Sequence, residues 1–285
     1  MVPRSRRQFL QASAAVGTLA VAGCLGTIGN SPPTPQRQVD PSMDPAPGTW
    51  PSSLYDPRNT ATNPDASPPR ASPTTEWSIP FDEPVSTVIV GPDHVFASSR
   101  DRTLAVRKDG TEQWAVDIGG GLHYVEGRLY MSAGALLALD AATGDEQWRA
   151  FNDADDERPG TVYEADGTVY VTGEQAFHAL HPDTGERLWQ VEADRYPRVV
   201  ADDRRVGLVD GDQIRFFEPG EHTDRLLRGP KPAAIEQTDV SWGRDVITPV
   251  LLEDTLFVPE FGDRLADVRG SVRRYDLGLT DERWM

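Results

Sequence analysis

From residue 85 onward, apolar and polar positions alternate in short runs broken by turns rich in Asp, Glu and Gly. A two-residue period of this kind predicts half-buried strands joined as hairpins. Five runs open on an acidic or Gly-bearing turn, at residues 93–99, 126–132, 165–172, 202–209 and 253–258, and further apolar runs such as 85–90 and 246–252 lead into them. A second type of hairpin follows. Residues 138–148 read Ala-Leu-Asp-Ala-Ala-Thr-Gly-Asp-Glu-Gln-Trp, and residues 179–189 repeat the phrase with the same Thr-Gly and the same closing Trp. A third copy, residues 104–114, is one residue shorter through its turn, and a worn copy runs from 272 to 284. Each phrase reads as a strand, a polar turn whose Gly accepts positive φ, and a new strand opening on Trp.

Together the two hairpins make about four short strands per unit, recurring every ~40 residues, which predicts an all-β propeller of about five four-stranded blades. One blade cannot bury both of its faces, so neighbours must stack, with Trp114, Trp148, Trp189 and Trp284 filling the gaps between them. Trp77 joins this set through a strand at residues 76–79, which in a closed ring would complete the last blade. Trp284 claims the same slot, so the expected ring is incomplete, or closed by an irregular fifth unit. The fourth unit, around residues 214–220, has lost its Trp, and an insertion at 261–270 widens the fifth. The second half is therefore expected to be less regular and less stable than the first, with an open blade face that a partner covers.

The N-terminal stretch carries a different signal. Ser5-Arg6-Arg7-Gln8-Phe9-Leu10 is a twin-arginine export motif, and the apolar run at residues 12–22 is too short to span a bilayer, which takes ~20 residues. Val21-Ala22-Gly23-Cys24 resembles a lipobox, in which the Cys receives a lipid and becomes the new N-terminus. Cys24 is the only cysteine, so no disulfide framework or Cys metal site is expected. The predicted organisation is a signal peptide at 1–23, a lipid-attached tether at 24–74 and the propeller at 75–285. Residues 31–75 hold 12 of the 24 prolines, a composition that cannot offset the entropy of ordering. The lead-in at 50–60, with Trp50 and Tyr55, is the exception and is expected to lie against the propeller.

The formal net charge is −17, and −20 once residues 1–23 are removed. Nucleic acid is excluded as a partner. Lys108 and Lys231 are the only lysines, against 26 arginines. A surface rich in Asp and Glu and nearly empty of Lys suits high salt, where screening removes self-repulsion, and points to a halophilic archaeal source.

The Ala-Leu-Asp, Thr-Gly and Trp phrase resembles the pyrroloquinoline-quinone-like (PQQ-like) propeller repeat, with Trp114, Trp148 and Trp189 as the clear matches. The Trp-Pro, Asp, Asn-Thr order within residues 50–60 is similar to the lead-in ahead of the first blade in many archaeal and bacterial members. The resemblance runs over residues 50–285. It implies a propeller but not a quinone, since the family holds both quinoprotein dehydrogenases and non-enzymatic members, such as the lipoprotein of the bacterial outer-membrane barrel-assembly machinery. The dehydrogenases are known for a vicinal Cys pair, a Ca²⁺ ion held by Glu, Asn and Asp, and an Asp base. This chain has no Cys pair and no spacing that places the calcium ligands.

Other candidate chemistry is thin. His178 and His181 fall at a strand end and the start of its turn, where they point to different sides rather than to one metal. Residues 152–157 alternate acids like a calcium loop but lack its sixth-position Gly and distal Glu. There is no phosphate loop, Gly-x-Ser-x-Gly elbow or His-Glu-x-x-His. His123, Tyr163, Tyr196 and Trp242 lie near strand or loop ends and read equally as surface or packing residues. The sequence thus predicts a non-enzymatic binding or assembly scaffold without catalytic, metal or cofactor residues. It would be anchored to the outer face of the membrane through Cys24 after export through Arg6 and Arg7, and would have a protein partner. An extracytoplasmic quinoprotein oxidoreductase with quinone and calcium, or an inactive fragment of a longer propeller, are the alternatives.

Overall fold

The alternating runs fold as strands. In the computed structural model, residues 45–67, 71–152, 157–165, 167–193, 197–202, 205–210, 213–217, 234–239, 248–252, 255–260 and 271–276 are described, all within one unit spanning Gln38–Met285. The first blade comprises β1 (Thr87–Val90), β2 (His94–Ser98), β3 (Thr103–Arg107) and β4 (Glu112–Val116). The second comprises β5 (Gly121–Val125), β6 (Arg128–Ser132), β7 (Leu136–Asp140) and β8 (Glu146–Ala150). The third holds β9 (Val162–Ala165), β10 (Thr168–Thr172), β11 (Ala176–Leu180) and β12 (Arg187–Glu192), and the fourth β13 (Arg198–Ala201), β14 (Val206–Asp210), β15 (Gln213–Phe217) and β16 (Ala234–Asp239). β17 (Val250–Leu252), β18 (Thr255–Glu260) and β19 (Ser271–Asp276) form a three-stranded fifth sheet. Every sheet is an antiparallel meander in chain order. The fold is an all-β propeller with four four-stranded blades and, among the described residues, a fifth sheet of three strands.

The core lies between blades, because each sheet is apolar on both faces. Ile89, Phe96, Ala105 and Trp114 of the first blade pack on Leu122, Leu129, Met131 and Leu137 of the second. Tyr130, Leu136 and Trp148 then meet Val162, Val169 and Val171. Tyr170, Phe177 and Trp189 meet Val199, Leu208 and Phe217, and Val200, Ile214 and Phe216 meet Leu251, Leu256 and Val258.

The Trp does not open the fourth strand, as its sequence position suggested; it is the third residue of β4, β8 and β12. A bulge between β3 and β4 explains the shift, since Ala105 faces Trp114 but Val106 already faces Glu112. The same slip occurs at Ala138 with Trp148 and at Ala179 with Trp189. Such a bulge bends the strand and re-aims the side chain, here toward the next blade. There the indole lies over the Gly of the neighbouring turn. A Cβ on Gly144 would come within 2.7 Å of Trp114, and one on Gly185 within 2.5 Å of Trp148, so only Gly, at φ of 80° and 69°, admits the ring. The indole N–H then donates to a carbonyl of that turn, from Trp114 to Ala141 at 3.0 Å and from Trp148 to Pro182 at 2.7 Å.

Trp77 repeats this lock on the first blade. Its ring covers Gly110, where a Cβ would meet it at 2.7 Å, and its N–H donates to the Lys108 carbonyl at 3.1 Å. The segment around it is not a strand, however, and among the described residues nothing pairs with the outer edge of β19. The strand expected at 76–79 to complete the last blade is thus corrected: Trp77 reaches its docking position without sheet pairing. Trp284 and the insertion at 261–270 lie outside the described residues.

Candidate functional site

The inner strands β1, β5, β9, β13 and β17 present their edges to one segment, the lead-in. Trp50 and Val90 exchange backbone hydrogen bonds of 2.7 and 2.8 Å as an isolated antiparallel bridge. The Pro51 carbonyl accepts from Tyr124 N at 2.8 Å, the Pro57 carbonyl from Ala201 N at 2.8 Å and the Arg58 carbonyl from Leu251 N at 3.1 Å. Nine residues thus visit the first, second, fourth and fifth blades in chain order, while Ser52, Ser53 and Leu54 line a cavity shared with the third. Pro51 and Pro57 suit this role because they lack an N–H and still offer a carbonyl.

A polar hub shapes the turn. Asp56, 1% exposed, accepts from Thr60 N at 2.9 Å, Thr60 Oγ1 at 2.8 Å and Arg58 Nη2 at 3.1 Å. Asn59 Nδ2 donates to the carbonyls of Val199 at 2.7 Å and Pro249 at 3.1 Å, joining the fourth and fifth blades. The segment is strained: Tyr55, Asn59 and Ala61 have φ of 72°, 60° and 48°. Asn tolerates this region, but Tyr and Ala cost on the order of 1–3 kcal/mol each there, a cost the surrounding bonds must offset. Trp50 and Tyr55 pack at 5.1 Å, and Tyr55 is fully buried.

Beneath the lead-in lies a cavity of about 150 Å³ bounded by His123 and Ser132 of the second blade and Thr161 and Tyr163 of the third. His123 is 5% exposed, and among the described residues neither ring nitrogen has a hydrogen-bond partner. Burial lowers its pKa to about 4, so the ring is neutral near pH 7. Burial also pushes the Tyr163 hydroxyl up to about 12. Between the same two blades, Tyr130 donates to Glu164 at 2.9 Å, and burial raises the pKa of both groups. Arg128 extends this bridge to Asp183 at 2.9 Å.

The residues singled out in the sequence fall in several groups. Trp114, Trp148 and Trp189 sit between blades, Trp77 lies over the Gly110 turn of the first blade and is 37% exposed, and His123 and Tyr163 line the cavity. His178 is 2% exposed inside the third blade, whereas His181 lies at the turn, its Nδ1 accepting from Asp183 N at 3.1 Å. Among the described residues, no group of three or more His, Cys, Asp and Glu is placed to hold a metal. Arg6, Arg7, Cys24, Tyr196, Trp242, Trp284 and most of the acidic run at 152–157 lie outside the described residues. Asp56, Arg58 and Asn59 gained no role from the sequence; their only signal was the Asp and Asn-Thr order of the lead-in.

The chain matches the family model described as "Outer membrane protein assembly factor BamB" over residues 100–223. Comparison with curated proteins finds no match. Among solved structures, BamB from Moraxella catarrhalis superposes with a TM-score of 0.50 at 18% identity, over 71% of this chain and 61% of that one. The computationally designed Ika8 protein gives a TM-score of 0.52 at 13% identity, over 67% of this chain and 58% of that one. The chain thus spans about three fifths of the length of these two structures. Together the family match and the superpositions support a PQQ-like propeller.

Proposed function

We propose that this chain is a non-enzymatic propeller that binds protein partners, held by a lipid on Cys24 at the outer face of the cell membrane after twin-arginine export. The lead-in carries the reading. Its backbone and the Asp56, Arg58 and Asn59 side chains fill the inner strand edges of the blades with structural bonds, leaving the turns and outer blade faces as the contact surface. Among the described residues, Val85 just before β1, Val88 on β1 and Leu252 on β17 are exposed aliphatic side chains of the first and fifth blades, and they add an apolar surface fit for a partner rather than for solvent. The similarity to an assembly-factor family supports the same kind of role. The acidic, lysine-poor composition supports a high-salt setting.

The test is membrane fractionation in high salt with intact-mass analysis of the native chain and a Cys24→Ala variant in a halophilic host, followed by cross-linking. The reading expects a membrane-bound chain beginning at lipidated Cys24, release of the variant, and a stoichiometric cross-linked protein. A soluble, unprocessed native chain would remove the anchor, and absence of any cross-linked protein would remove the scaffold role.

A further inference from the structure

We propose that the first blade of one copy docks on the fifth sheet of a second copy, face to face, as neighbouring blades dock within the chain. Every seam inside the chain joins one side of a blade to the opposite side of the next. Successive strand residues point to opposite faces. Ile89 turns toward the second blade and Leu251, Leu256 and Val258 toward the fourth, so Val88 and Leu252 lie on the two terminal faces. They are 53% and 43% exposed. The two faces therefore do not cover each other within one chain, and each leaves apolar surface for another molecule.

The faces are also complementary. In the first three blades an aromatic ring at the third residue of the second strand backs the Trp. Phe96 lies 6.0 Å from Trp114, Tyr130 5.8 Å from Trp148 and Tyr170 5.9 Å from Trp189. Trp77 sits on the Gly110 turn as Trp114 and Trp148 sit on theirs, yet it is 37% exposed and no ring among the described residues backs it. The fifth sheet carries such a ring. Phe257 is the third residue of β18, points away from the fourth blade and is only partly buried. Opposite Phe257 stands the exposed Arg274, where the other blades have Ala105, Ala138 and Ala179, and a guanidinium there can stack on an indole. One chain thus holds, at opposite ends of its run of blades, a Trp that lacks its ring and a ring that lacks its Trp among the described residues. Such a contact joins unlike surfaces head to tail, so copies assemble into closed rings or open runs. The inference rests on the reading of these faces as protein contact surfaces, and it names the partner as the chain itself.

Size exclusion with light scattering in high salt, on the full chain carrying Cys24→Ala, tests it. The expected result is an assembly that grows with concentration. Val88→Asp and Leu252→Asp, both at exposed sites and expected to keep the parent's thermal unfolding, should each run as monomers. An equimolar mixture of the two should form a one-to-one pair, because each variant keeps the face that the other has lost. Monomers of the parent at every concentration would overturn the proposal, as would assembly that neither substitution weakens or a mixture of the two variants that stays monomeric. Capture of a foreign protein by cross-linking decides the protein-binding role separately, so that role can stand where self-association fails.

Discussion

Two seams of the propeller are built on the same residue with different results. Between the second and third blades, the Trp148 ring lies on Gly185 and its N–H reaches the Pro182 carbonyl at 2.7 Å. Between the third and fourth, Trp189 is just as buried, packed 5.9 Å from Phe217, but its N–H has no partner among the described residues. The Thr-Gly turn and the Trp are therefore two halves of a lock that spans neighbouring units. The Trp of one blade needs the turn of the next. Where the fourth unit lacks the phrase, burial persists, and no described residue accepts from the indole.

This contrast can be broken in graded steps. Trp148→Ala should cost about 4 kcal/mol, typical of removing a buried aromatic, with hydrogen-exchange protection lost first across β8 and β9. Protection confined to other blades would contradict the seam assignment. A smaller effect comes from acid. His123 has a folded pKa of about 4, below its ordinary value of 6.5, so the unfolded chain binds the extra proton. Its contribution is intact above pH 6.5 and is lost as the pH falls through 4, about 3 kcal/mol in all. Urea unfolding from pH 7 to 3.5 should show this loss in the native chain and not in His123→Phe; equal slopes in both would refute it.

Gly185→Ala places a methyl group against the Trp148 ring at φ of 69° and should destabilise by about 2 kcal/mol, measured by thermal unfolding. The smallest change is the most discriminating. Trp148→Phe should cost about 1 kcal/mol more than Trp189→Phe, because among the described residues only the Trp148 indole donates to a turn carbonyl. Equal losses would mean that the indole hydrogen bond contributes nothing.

The blade repeat was legible because period-two alternation, turn residues and Trp spacing all report on short-range geometry. The bulge was not, because it is a relation between strands. Its consequence is visible in the fourth blade, where Phe216 faces Glu236 and Phe217 faces Ala234, the slip that in three other blades sets the Trp. Glu236 therefore stands at the Trp position of a unit whose phrase had dissolved in the sequence. The lead-in was legible as a segment but not as a clasp. Asp56 and Asn59 act through carbonyls and amides far along the chain, Asn59 bonding Val199 and Pro249, and no local pattern encodes such partners. His123 likewise read as a strand-end residue until the fold enclosed it.

The lead-in is the centre of this account, and amide hydrogen exchange at Tyr124, Ala201 and Leu251 tests it most directly. These three N–H groups donate to Pro51, Pro57 and Arg58 from three different blades. If the lead-in clasps the inner strands, all three amides exchange as slowly as the strand-paired amides of β6, β10 and β14, and all three become fast together when residues 50–60 are deleted. Fast exchange at these amides in the intact chain, with the blades still protected, would contradict the account.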